Sequence, residues 1–138
     1  MIRWILTLLC VLLVFCSAGP VMAQAQTPDL TEAQLQQFNE LRQKAFAATD
    51  KGDFPTAEGY WTQLIELLPE NPVGWSNRGN SRVSQNKLKE AIADYNKSIE
   101  LAPNAADPYL NRGTAFEGQG RWEDAISDYK RVLELEPN

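Results

Sequence analysis

Apolar and polar positions are arranged in two different ways along this chain. Residues 4–15, WILTLLCVLLVF, form a nearly unbroken apolar run without a charge. Beyond residue 30 the large apolar side chains are spaced three or four positions apart, with charged and amide residues between them. That spacing puts them on one face of a helix. The helical pattern also recurs. "WTQLIELLPE" begins at Trp61, "YNKSIELAPN" at Tyr95 and "YKRVLELEPN" at Tyr129, so successive copies lie 34 residues apart. A fixed period of this size marks a repeat architecture.

Set in register, the copies run 38–71, 72–105 and 106–138. Copies two and three agree at 12 of 33 positions, and copy one agrees with copy two at only five. Copy one keeps the register without a gap, which makes it a degenerate member rather than a coincidence. Each copy predicts a helix–turn–helix. The first helix carries a large residue (Leu41, Trp75, Tyr109) and a small one four later (Ala45, Gly79, Gly113). The second carries a small residue (Ala57, Ala91, Ala125) and an aromatic four later (Trp61, Tyr95, Tyr129). Small residues on both helices let the backbones approach, and the aromatics fill the flanks.

The punctuation agrees with the periodicity. Gly52, Asn86 and Gly120 stand where a helix end favours left-handed backbone. Pro55, Glu90 and the pair Glu123 and Asp124 suit second-helix starts, and Pro69, Pro103 and Pro137 end them. Residues 24–37 read as a linker and the start of the first helix, with Thr31 and Gln34 spaced as a capping box. Trp75, Tyr95, Tyr109, Trp122 and Tyr129 fall on packing positions and are expected in the core.

These residues resemble the tetratricopeptide repeat family, whose pattern is W-x2-L-G-x2-Y, A-x3-F and P. Copy three reads "YLNRGTAF", "AISDY" and Pro137; copy two reads "WSNRGNSR", "AIADY" and Pro103; copy one reads "LRQKAFAA", "AEGYW" and Pro69. The resemblance implies an all-α fold: three stacked helix–turn–helix units in a short right-handed superhelical solenoid, preceded by an N-terminal signal or anchor helix. One departure lies in the first helix of each copy. Lys44, Arg78 and Arg112 replace the Leu usual in the first helix, and the two arginine copies also carry Asp94 and Asp128 where copy one has Tyr60. Arg–Asp pairing between packed helices is expected, the arginine stems covering apolar surface. The flank of copy three, around Phe116 and Leu133, is expected to be left bare.

In this family the first helices line a concave groove. The resemblance places its groove positions on Asn39, Arg42, Gln43 and Phe46, on Val73, Ser76, Asn77 and Asn80, and on Asp107, Leu110, Asn111 and Thr114. Gln43, Asn77 and Asn111 share one equivalent position. Such a row of amides offers donors and acceptors to an extended peptide backbone. The clamp for C-terminal carboxylates in chaperone-binding members uses Lys and Asn, then Asn, then Lys and Arg. Here those places hold Arg42 and Phe46, Asn77, then Asp107 and Asn111, which disfavours a chaperone-tail receptor.

The leader changes the picture of where the chain works. Arg3, the apolar run and the small residues "VMA" and "AQA" describe a signal peptide over residues 1–23, cut after Ala23 or Ala25. The rival reading is an uncleaved anchor over residues 4–23, weakened by Gly19 and Pro20. Export would place the chain in a bacterial periplasm, a thylakoid lumen or outside the cell. Removing residues 1–23 takes one base, leaving 12 basic and 18 acidic side chains, a charge of −6, and takes both cysteines. Acidity argues against a nucleic-acid partner. With no His and no mature Cys, the commonest general base and the thiol nucleophile are missing, and no carboxylate cluster has calcium-loop spacing. No enzyme activity, cofactor or metal is expected. The function expected is a non-catalytic exported scaffold binding a protein or peptide in its groove. The alternatives are a membrane-tethered assembly factor, should the leader remain, and a structural unit that self-associates through the C-terminal flank.

Overall fold

The computed structural model describes residues 30–137, and the expected leader and cleavage sites lie outside them. Six helices follow in order: α1 Glu32–Asp50, α2 Phe54–Leu67, α3 Pro72–Val83, α4 Leu88–Leu101, α5 Ala106–Gly118 and α6 Trp122–Leu135. No strand occurs among the described residues, and none of their helices is long and apolar enough to cross a membrane. Each helix packs on its chain neighbours. In addition α3 approaches α5, whereas no two even-numbered helices meet as closely. The odd-numbered helices therefore form the inner side of a curved stack.

Local chemistry fixes the ends. Thr31 accepts from the Gln34 amide at 3.2 Å while the Gln34 side chain accepts from the Thr31 amide at 3.0 Å, closing the capping box. Gly52 and Gly120 sit at φ 72°, and Asn86 at φ 60°. Only Gly, and at some cost Asn, occupies that left-handed region readily, so these three turn the chain between paired helices. A second repeated device ties one unit to the next. The Trp75 indole donates to the Pro69 carbonyl at 2.8 Å, and the Tyr109 hydroxyl donates to the Pro103 carbonyl at 3.1 Å.

The small residues do what their spacing suggests. A methyl group built on Gly79 would lie 2.7 Å from the Tyr95 ring, and on Gly113, 2.6 Å from the Tyr129 ring. Tyr95 is only 1% exposed and has no room to yield. Gly59, also helical, has open space around it. Alanine should therefore act with opposite signs at the two sites. Gly79→Ala is expected to destabilise by about 1–3 kcal/mol through overpacking, and Gly59→Ala to stabilise by about 0.5–1 kcal/mol. Urea unfolding midpoints of the two variants check this, and equal shifts would contradict it.

Apolar burial divides into two clusters. One joins Leu41, Ala45, Ala48, Ala57, Trp61 and Leu64; the other joins Ala91, Ile92, Tyr95, Ala115, Phe116 and Ala125. Two sequence expectations fail. Phe116 is buried rather than bare, because it packs in the second cluster and the Arg112 and Arg121 guanidinium groups lie 5.6 and 4.3 Å from its ring centre. Of the five aromatics expected in the core only Tyr95 is buried: Trp75, Tyr109 and Tyr129 are half-buried and Trp122 is 56% exposed. It holds the repeat position of Leu88, which α5 covers through Gly118, whereas among the described residues no helix packs over Trp122.

Candidate functional site: the inner groove

Two adjoining cavities lie on the inner side. The larger, about 240 Å³, is polar at its rim: Ser76, Asn77 and Asn80 of α3 face Asp107 and Asn111 of α5, over a floor that includes Pro72, Ser98, Ala102 and Pro108. The smaller, about 110 Å³, is apolar: Phe38, Phe46, Trp61 and Leu64 surround it, with Arg42 and Asn71 at the edge. Val73, exposed at the start of α3, lines both.

The elements that build these walls are traceable to sequence. Pro72 opens α3 behind an Asn71 cap that accepts from the Val73 amide at 2.9 Å. Ser98 donates to the Pro72 carbonyl at 3.0 Å, which pins the start of α3 to α4 and sets the cavity floor. Phe46 meets Trp61 edge to face, with ring centres 5.1 Å apart. The Arg42 guanidinium lies 5.9 Å from the Phe38 ring, so a cation caps the aromatic pocket.

The expected groove residues divide by position. Arg42 and Phe46 line the apolar pocket, and Ser76, Asn77, Asn80 and Asn111 line the polar one. Gln43, Leu110 and Thr114 lie on the same helices but line neither, and the Thr114 hydroxyl donates to the Leu110 carbonyl at 3.1 Å. The amides are partly engaged. Asn77 donates to the Val73 carbonyl at 3.0 Å, and Asn80 accepts from the Tyr95 hydroxyl at 2.8 Å. That leaves the Asn77 oxygen and the Asn111 amide for a ligand. Burial pushes the pKa of the Tyr95 hydroxyl upward, further from ionising, and the neighbouring Asp94 charge adds to it. Tyr95 is thus a neutral donor that orients Asn80. The floor residues Pro72 and Ser98 escaped sequence reasoning, because their role depends on α3 and α4 meeting.

Beneath the groove, ion pairs hold α2, α3 and α4 together. Arg78 donates to both oxygens of Asp94, at 3.0 Å from Nε and 2.7 Å from Nη2, and Arg82 adds a third bond at 2.8 Å. Arg82 also bonds Glu58 at 2.8 Å, and Glu58 takes Lys87 at 2.8 Å and Gln85 at 2.9 Å. Repeat three keeps the Arg112–Asp128 pair at 2.8 and 2.6 Å, but Phe116 stands in place of Arg82 and Ile92 in place of Glu58. The expected Arg–Asp pairs form; the Glu58–Arg82 extension was not anticipated.

Glu58 makes the network sensitive to acid. Partial burial raises its pKa, but hydrogen bonds from Lys87, Arg82 and Gln85 and the Arg82 charge outweigh this and hold it at about 2, from an ordinary 4.5. A carboxylate depressed in the folded state contributes stability above its unfolded pKa and loses it as pH falls through the folded one. The stability gap between the native chain and Glu58→Gln should therefore be constant near neutrality and shrink between pH 4.5 and about 2. Urea midpoints of both at pH 7 and at about pH 3 test this. A gap that does not change would assign Glu58 no such role.

Stacked helix pairs whose first helices wall a groove define a helical-repeat binding module. Family models for the TPR repeat match residues 79–120, and for the tetratricopeptide repeat residues 106–138. The solved first TPR of Spaghetti (RPAP3), bound to the HSP90 peptide SRMEEVD, superposes with a TM-score of 0.72 at 32% identity, over 75% of this chain and 82% of that one. The TPR2B domain of yeast Sti1, in complex with pHsp70, gives 0.71 at 29%, over 72% and 80%. Hsp70-Hsp90 organizing protein 2 of Arabidopsis thaliana is 38% identical over 60 residues, 44% of this chain but only 10% of that protein. The chain belongs to the tetratricopeptide repeat family.

Proposed function

We propose that the chain is a non-catalytic scaffold that holds an extended segment of another protein in the groove walled by α1, α3 and α5. The observation that carries this is the pair of adjoining cavities sharing Val73, one aromatic and one amide-rich. The first accepts an apolar side chain by burial. The second offers Asn111 and the free oxygen of Asn77 to a peptide backbone. The solved relatives named above are bound to an HSP90 peptide and to pHsp70, which supports a peptide ligand of some kind. The ligand differs in charge from theirs, since Asp107 and Asn111 stand where the carboxylate clamp has cations.

The scaffold works outside the cytoplasm in this reading, supported by the signal-peptide composition of residues 1–23. The apolar length of residues 4–23 also supports a tethered form, in which the leader stays and the groove presents its client at a membrane. N-terminal sequencing of the native protein separates the two: a start at Gln24 or Gln26 removes the tether.

The groove itself is tested by cross-linked capture from the native host with the native chain and Asn77→Ala/Asn111→Ala. A partner lost by the double variant supports the proposal. The same partner captured equally by both overturns it.

A further inference from the structure

The two cavities of the groove carry opposite charges, and this selects the chemistry of the segment they hold. Among the described residues, Arg42 is the one charged residue lining the smaller cavity, and Asp107 the one lining the larger. Neither forms an ion pair with any other described residue. Asp107 is exposed in the first turn of α5, behind Ala105, which makes no side-chain cap. An acid there suits the helix dipole, but the dipole takes up neither of its oxygens.

The walls around Asp107 supply acceptors and no cation. α3 and α5 hold three arginines, and all three are committed to carboxylates elsewhere: Arg78 and Arg82 to Asp94, Arg82 also to Glu58, and Arg112 to Asp128. Across the cavity the Asn77 amide nitrogen donates to the Val73 carbonyl at 3.0 Å, which leaves the Asn77 oxygen to accept. A carboxylate beside an amide oxygen suits an ammonium or guanidinium group, which only donates. An apolar side chain laid over Asp107 would strip its water without replacing it, and an acid would add repulsion.

The smaller cavity makes the opposite demand. Its aromatic walls take an apolar side chain, and Arg42 at its edge repels a cation. Side chains seated between α1 and α3 and between α3 and α5 lie about one helix spacing apart, ~8–10 Å. An extended chain covers that in about three residues. Resting on the groove reading above, we propose that the segment held there places an apolar side chain between α1 and α3 and, about two to four residues away, a lysine or arginine on Asp107. The acidic balance of the whole chain draws such a segment in.

The test selects short random peptides displayed on phage, once with the immobilised native chain and once with Asp107→Lys. The native chain is expected to enrich an apolar residue with Lys or Arg at that spacing, and Asp107→Lys to enrich Asp or Glu in place of the cation. A synthetic copy of a natively enriched peptide is then titrated by calorimetry. Asp107→Asn, which keeps the shape and removes the charge, should weaken it at least about ten-fold, and Asp107→Glu should retain most of the affinity. Val73→Trp, which crowds both cavities from an exposed position, should abolish binding. Peptides that Val73→Trp no longer binds, but that carry no cation or bind Asp107→Asn as well as the native chain, overturn this proposal and leave groove binding standing. Peptides that Val73→Trp binds undiminished, or no enrichment at all, overturn both.

Discussion

Asp94→Ala is expected to cost about 3–5 kcal/mol of stability, the penalty for breaking a buried ion pair from one side. Asp94 is 2% exposed and receives three hydrogen bonds from Arg78 and Arg82. The variant leaves two guanidinium groups without that acceptor, with side chains only 12% and 19% exposed. It also cuts the link between α4 and the Glu58 end of the network, so α2, α3 and α4 lose their common anchor. A domain of this size holds about 5–15 kcal/mol in all, so a melting temperature lower by more than about 10 °C should follow. Asp128→Ala should cost less, because Arg112 is 20% exposed and retains its bond to Asn96 at 2.6 Å. A loss under about 1 kcal/mol for Asp94→Ala would instead mark the pair as behaving like a surface one.

Converting the groove is expected to have the largest effect on binding. The peptide SRMEEVD, held by the solved RPAP3 domain, ends in a carboxylate. In this chain the clamp positions offer Arg42 and Asn77 but also Phe46, Asp107 and Asn111. Asp107, on the polar rim, repels a carboxylate where a clamp would attract it. The triple variant Phe46→Asn/Asp107→Lys/Asn111→Arg should therefore gain affinity for SRMEEVD by about a hundred-fold or more, from two new charge-assisted hydrogen bonds of about 1.5–3 kcal/mol each. Calorimetric titration of both chains measures it. Tight binding of the peptide by the native chain would mean the rim charge does not select the ligand.

Much of this fold is legible in the sequence because each local signal agrees with its neighbours. Gly79 lies four positions after Trp75, Asn86 stands at the turn and Pro103 at the end, and the same order returns from Tyr109 to Pro137. The Arg78–Asp94 pair was legible too, because the Asp occurs only in the two copies that carry Arg in place of the family's usual Leu. What escaped depends on contacts between repeats. Arg82 and Glu58 look like ordinary solvated charges until α2 and α3 meet. Trp122 reads as core from its amphipathic helix, yet burial requires a covering helix. Phe116 reads as bare, but Arg112 and Arg121 close over it. The groove was legible as a set of positions and not as a shape. Periodicity puts Gln43 in line with Asn77 and Asn111, but cavity walls depend on where Pro72 and Ser98 hold the start of α3.

Photo-cross-linking would probe the groove most directly. A benzophenone side chain placed at Val73, shared by both cavities, is compared in the native host with one at Glu66, exposed on the outer helix α2. Groove binding requires a discrete adduct from position 73 and none from position 66. Adducts from position 66 alone would move the partner to the outer surface and contradict the central claim.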